Sequence, residues 1–160
     1  RLNTSAARLC IPPLDETFTL AALQELVRLD ADWVPRTPGC SLYMRPTLIA
    51  TDPTLGVHPS RTYRFFVIMS PVGAYYPEGL KPVRIWVEKE LIRAAKGGLG
   101  AVKAGANYAA SLYAAAAAQK RGYAQVLWLD AFEHRYCEEV GVMNLFVQLK
   151  DEIVTAGTLA

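Results

Sequence analysis

The chain has 160 residues, 17 of them Lys or Arg and 15 Asp or Glu, for a net charge of +2, and 52% are hydrophobic. That much apolar material excludes a disordered chain, and so small a net charge argues against a nucleic-acid or membrane-surface partner. The apolar runs are interrupted by charges or prolines well short of the ~20 residues that a membrane span needs. A chain of this length is expected to bury roughly 68–70% of its extended surface. It begins at Arg1, with no initiator Met and no signal-type apolar core, and ends on the bare apolar stretch 155–160. Both ends read as cuts, so the expectation is part of a longer protein. Cys10, Cys40 and Cys137 are far apart. An odd, dispersed set predicts reduced thiols in a cytoplasmic protein rather than a disulfide framework or a zinc knuckle. His58 and His134 are also far apart, and no metal site is expected.

Along the chain, residues 17–34 place Leu20, Leu23, Leu26, Val27 and Trp33 at helical spacing, with Thr17 or Thr19 as the cap. Residues 41–51 read as a strand that Pro46 pushes to an edge or a bulge. Residues 52–60, with two prolines and a glycine, read as a loop. Residues 63–70, YRFFVIMS, read as a buried strand. Residues 71–82 carry Gly73, Pro77 and Gly79 and form the candidate linker, and 83–88 alternate as a half-buried strand does. Beyond Lys89 the character changes. A loop with four glycines spans 96–105, and Asn107 opens an alanine-rich helix that ends at Gly122. A strand follows at 124–130, then short strands at 135–139, 143–149 and 152–154. The order predicts a mixed α+β region, a linker, and a strand–loop–helix–strand–strand unit.

Some residues could carry chemistry. Lys103 lies in a glycine-lined loop just before a helix. Glycines let backbone approach a flat or phosphorylated ligand closely, although composition alone makes it an ordinary surface lysine. The loop lacks the GKS or GKT of a Walker A sequence. Glu138 and Glu139 end a strand, and such a pair is a solvated turn or a carboxylate aimed at a ring nitrogen. Tyr43 and Arg45 alternate on one strand face. The alanine block 114–118 predicts helix propensity and close packing.

Several segments in order are RLNTSA from Arg1, SLYMRP from Ser41, LGV from Leu55, PVGAYYP from Pro71, GGLGAVKAGANYAASL from Gly97, QVLWLD from Gln125 and EEVGVMNLF from Glu138. Together they resemble the branched-chain amino-acid aminotransferases, fold-type IV enzymes that use pyridoxal 5′-phosphate. The resemblance implies a two-domain α+β architecture of the D-amino-acid aminotransferase type, partially covered. It assigns 1–75 to the C-terminal portion of the small domain, 76–82 to the interdomain linker and 83–160 to the first half of the large cofactor-binding domain. It implies transamination of leucine, isoleucine or valine with 2-oxoglutarate, in a cytoplasmic homodimer.

The same resemblance implies roles residue by residue. Lys103 matches the lysine that forms the Schiff base. Glu139, directly before Val140 and Gly141, matches the carboxylate that pairs with the pyridine nitrogen. Tyr108 matches the tyrosine on the cofactor's phenolic oxygen, and Arg1 matches a phosphate-binding arginine. Arg93 matches a second pocket arginine, while Tyr43, Arg45 and Tyr75 match substrate-side residues. Two positions depart from the family pattern. Ala106 replaces a usual second glycine, and Val142 replaces the threonine of EVGTMN and so loses a hydroxyl. The family's N-terminal pocket segment and C-terminal phosphate-cup loops have no counterpart in these residues. Another fold-type IV activity, as a D-amino-acid aminotransferase or an aminodeoxychorismate lyase, and a catalytically silent fragment stay open as alternatives.

Overall fold

Local hydrogen bonding sets where each element starts and stops. The computed structural model describes residues 1–74, 79 and 81–157. It is α+β, in two units, Arg1–Lys81 and Pro82–Ala160. Residues 76–78 and 80 of the expected linker lie outside the described residues, as does Tyr75.

The first unit opens with a short helix, α1 (Leu2–Arg8), that the sequence pattern does not announce. Asn3 ties it to the chain ahead of the next helix. Its side-chain oxygen accepts from Leu14 N at 2.9 Å and its amide donates to Leu14 O at 3.0 Å. Helix α2 (Glu16–Leu29) is capped by Asp15, whose carboxylate accepts from Phe18 N at 2.7 Å. The cap is therefore not Thr17 or Thr19: a carboxylate satisfies an orphan N–H more strongly than a hydroxyl. The expected long helix breaks at Asp30 into a separate 3₁₀ turn, Ala31–Trp33. Strands β1 (Ser41–Ala50) and β2 (Tyr63–Val72) form an antiparallel ribbon in which Ser41 faces Val72 and Ala50 faces Tyr63. Both are edge strands, so Pro46 withholds no needed donor. β2 is not the buried strand expected. Its residues are half-buried or exposed, with Ile68 53% exposed. An apolar run records a capacity for burial on both faces, and among the described residues this ribbon lacks a third strand.

In the second unit, β3 (Ile85–Val87), α3 (Gly105–Lys120) and β4 (Gln125–Leu129) form a β–α–β crossover, with β3 and β4 parallel. Strand β5 (Cys137–Val140) pairs antiparallel with β4, giving the order β3-β4-β5. A separate hairpin joins β6 (Phe146–Gln148) to β7 (Ile153–Thr155). Alanines are found all around α3, and the two that face β4 form the core. Ala114 and Ala118, one helical turn apart, pack on Val126 and Trp128, with Trp86 and Tyr123 at the margin. Small side chains let the helix approach the strand closely. Gly122, at φ +79°, ends the helix as its position predicts.

The expected extent of burial is not reached. Among the described residues the buried apolar side chains are Ala6, Val102, Ala114, Ala118, Val126, Trp128, Leu129 and Val140, while Phe18, Leu20, Leu29 and Trp33 stay exposed. The periodicity of an apolar stripe predicts a helix, but burial also requires a surface to pack against.

Candidate functional site

Lys103 stands at the apex of a tight turn. Ala104 N donates to Val102 O at 2.9 Å, across Lys103, and Val102 N donates to Leu99 O at 2.9 Å. Val102 points inward and is 7% exposed, whereas Lys103 points out. Helix α3 begins two residues later, and Tyr108 near its start is carried back toward the lysine. Lys103 Nζ donates to Tyr108 Oη at 2.6 Å and lies 5.0 Å from the ring centre. The turn and the helix thus bring together two of the expected residues.

Glu139 and Arg93 form a second pair. Arg93 Nη1 donates to Glu139 Oε1, with both side chains largely withdrawn from solvent. Burial pushes the Glu139 carboxyl above its usual value, and the Arg93 guanidinium pulls it part of the way back. Arg93 Nε is buried without a hydrogen-bond acceptor among the described residues. Glu138 is also raised, first by burial and then by the charges of Asp130 and Glu139. The strand explains why the two acids differ. Trp128 pairs with Glu139 and Leu129 with Cys137, so Glu138 is the extra residue of a β-bulge.

Two strand ends prepare this region. After β3, Glu88 Oε1 accepts from the N–H groups of Lys89, Glu90 and Leu91 at 3.0, 2.9 and 3.2 Å, shaping the turn that leads to Arg93. Burial alone would raise Glu88, but these bonds and one from Trp86 leave it below its usual value. After β4, Asp130 accepts from the backbone of Phe132, Glu133, Arg135 and Tyr136 at 2.7–3.2 Å. Its pKa falls well below the usual carboxylate range, chiefly through the bond from Tyr136. That turn sets the register of β5 and so the place of Glu139. At the far end of β5, Gly141 adopts φ +61°, and a Cβ there would collide with Gln125 Oε1. Its N–H donates to Val126 O at 2.7 Å and its carbonyl accepts from Trp128 Nε1 at 3.1 Å.

In the first unit, Arg45 Nη2 donates to Tyr43 Oη at 3.4 Å, and the guanidinium lies 5.3 Å from the Tyr43 ring centre. Arg1 is exposed at the start of α1, beside a cleft of about 380 Å³ that Asn3, Leu14, Glu16 and Leu23 also line. A second cleft, of about 680 Å³, lies in the second unit between Trp86, Glu88, Leu91, Tyr113, Arg121 and Tyr123 and includes none of the expected residues. Val142 is 48% exposed. The sequence motifs do not single out Asp130 or Glu88, although an acid between a strand and a turn is itself a signal. Asn107 does not open α3, as its residue type suggests. It lies inside the helix, the N-cap is Ala104, and the Asn107 side chain is buried.

Residues 1–159 match the model of the amino-transferase class IV family, and the chain belongs to that family. Two curated relatives from Bacillus subtilis (strain 168) are similar to it. Branched-chain-amino-acid aminotransferase 2 is 55% identical over 155 residues, which is 97% of this chain and 43% of the relative. Branched-chain-amino-acid transaminase 1 is 56% identical over 156 residues, 97% of this chain and 44% of that protein. The chain therefore spans less than half the length of these relatives. Among solved structures, the T.th. branched-chain amino acid aminotransferase with pyridoxamine 5′-phosphate aligns with a TM-score of 0.77 at 26% identity. The alignment covers 94% of this chain and 48% of the other. The architecture is the α+β fold of the fold-type IV aminotransferases, covered in part. Among the described residues no helix is long and apolar enough to cross a membrane.

Proposed function

We propose that this chain is part of a branched-chain amino-acid aminotransferase that uses pyridoxal 5′-phosphate. It would move the amino group of leucine, isoleucine or valine to 2-oxoglutarate, giving the branched 2-oxo acid and glutamate. The observation that carries the reading is the 2.6 Å contact of Lys103 Nζ with Tyr108 Oη at the start of α3. The donor set suits the cofactor: an outward amine, a phenol beside it, a half-buried carboxylate, and an arginine with a buried donor unmet among the described residues. The cofactor, when bound, supplies the electron sink for cleavage of the bond to the substrate's α-hydrogen.

The residues of the chain have separate parts. Lys103 would hold the cofactor and move a proton at its Nζ, with Tyr108 Oη fixing the direction of that amine. Glu139 would face the pyridine nitrogen as a carboxylate, and Arg93 favours that charged form against burial. Arg1 would take phosphate oxygens, because a guanidinium matches them in two-pronged geometry. Tyr43, Arg45 and Tyr75 would meet the substrate. Residues 1–75, 76–82 and 83–160 would be the end of the small domain, the linker and the first half of the large domain. The motif resemblance also supports a cytoplasmic homodimer whose pocket a neighbouring subunit closes.

Borohydride reduction of the holoprotein, followed by peptide mapping, tests the reading. The cofactor should be fixed on Lys103. Label on Lys96 or another lysine would overturn it. Light scattering that found an active monomer would reject the dimer.

A further inference from the structure

We propose that Asn107 is the positioning residue for Lys103: its side-chain amide pins the lysine's turn to helix α3 and thereby sets the Lys103–Tyr108 contact. This rests on the reading of Lys103 as the cofactor lysine. Asn107 is 8% exposed and lies in the first turn of α3, but its side chain caps no helix N–H. Instead its Nδ2 donates to Leu99 O at 2.6 Å and to Val102 O at 2.7 Å. Both neighbours are carbonyl oxygens, so the amino end must face the loop, and both of its hydrogens are used.

The two carbonyls are the ones that shape the turn. Leu99 O also accepts from Val102 N, and Val102 O also accepts from Ala104 N across Lys103. Each carbonyl is thus held by a backbone donor and by Asn107 together. The backbone bonds curl the loop. The Asn107 bonds attach it to a helix whose next residue is Tyr108. Lys103 and Tyr108 are both exposed, and their 2.6 Å contact sits on the turn that the buried amide fastens to the helix. A rigid brace of this kind is what a reacting group needs, because small misplacements are costly to rate.

A carboxylate of the same shape is the sharpest probe. Asn107→Asp keeps the volume but turns an acceptor toward two carbonyl oxygens. Asn107→Ser keeps one donor and serves as the milder variant. In the full-length apoprotein, competitive acylation by acetic anhydride, read by peptide mass spectrometry, compares Lys103 with Lys96. The Lys103 to Lys96 labelling ratio should change in Asn107→Asp by on the order of fivefold, the effect of losing about one hydrogen bond. Asn107→Ser should fall between that variant and wild type. In the holoenzyme, kcat should fall while KM for the amino acid stays within about twofold, since Asn107 touches no substrate. Unchanged labelling ratios in both folded variants, with only the melting temperature lowered, would overturn the proposal. Borohydride mapping of the wild type separately tests the underlying reading. Label away from Lys103 would defeat that reading, while the acylation ratio would still report whether the brace exists.

Discussion

The two units of the chain use apolar residues in opposite ways. In Pro82–Ala160, Trp128 is 1% exposed and packed between alanines of α3 and the strands beside it. In Arg1–Lys81, Trp33 is 64% exposed, on a 3₁₀ turn after a helix with no buried residue. Candidate site residues follow the same division. Lys103, Tyr108, Arg93 and Glu139 are held by side-chain bonds within the second unit. The Tyr43–Arg45 contact in the first unit is exposed and long. A residue fixed by its own unit is defined within this chain, whereas an exposed apolar stripe records a surface that burial elsewhere would have to complete.

The largest contrast concerns the two tryptophans. Trp128→Ala should cost about 3–5 kcal/mol in urea unfolding, as buried aromatic truncations do. Trp33→Ala should cost less than about 1 kcal/mol. Comparable losses in the full-length protein would break the comparison and show that Trp33 is covered there.

The acid pair comes next. Glu139→Gln leaves the Arg93 guanidinium with a neutral partner in a half-buried place. Because burial outweighs the pull of Arg93 on this carboxyl, the neutral amide should leave stability within about 1 kcal/mol of wild type. Glu138→Gln, at the bulge, should stay within about 0.5 kcal/mol. Turnover should separate the two, falling far more in Glu139→Gln. Equal losses of turnover would reject Glu139 as the carboxylate facing the ring nitrogen.

Two glycines sharpen the contrast at smaller scale. Gly39 and Gly141 both have positive φ, but only at Gly141 would a Cβ meet a neighbour. Gly39→Ala should cost about 1–2 kcal/mol from backbone strain alone. Gly141→Ala should cost more, because Gln125 must also move, and thermal melts of the two variants would measure the difference.

The smallest effect is one of pH. The Asp130 pKa is depressed from its ordinary 3.8, so its contribution is fully present above that value and fades as pH falls through the folded value. Glu139 works in the opposite sense. Its raised pKa makes the native state take up a proton first, so its cost to stability eases on acidification. Asp130→Asn should therefore flatten the loss of stability below about pH 4 in acid unfolding curves. An unchanged acid limb would mean that the β4–β5 turn is held without this carboxylate.

Elements with strong local signals were legible in the sequence. The alanine helix, its glycine end and the strand carrying LWLD stand close to where their pattern puts them. β1 ends within one residue of its expected bound. The α+β class was legible for the same reason. Helix α1 was not, because it is short and is tied to the chain by Asn3, a contact eleven residues away. The motif around Lys103 nominated the lysine and the tyrosine. That Asn107 lies under their turn, and is not a cap, depends on where the loop folds back.

The local sequence by itself determined periodicity, turn chemistry and the residue types available for a site. These act through backbone sterics and hydrogen bonds a few residues apart. Tertiary structure alone decided which apolar faces were covered, which of two adjacent acids met Arg93, and which carbonyls Asn107 would hold. Those outcomes depend on a bulge between Trp128 and Leu129 and on a loop curling over a helix end. Burial and ion pairing are properties of two surfaces brought together, and one strand's pattern specifies only its own.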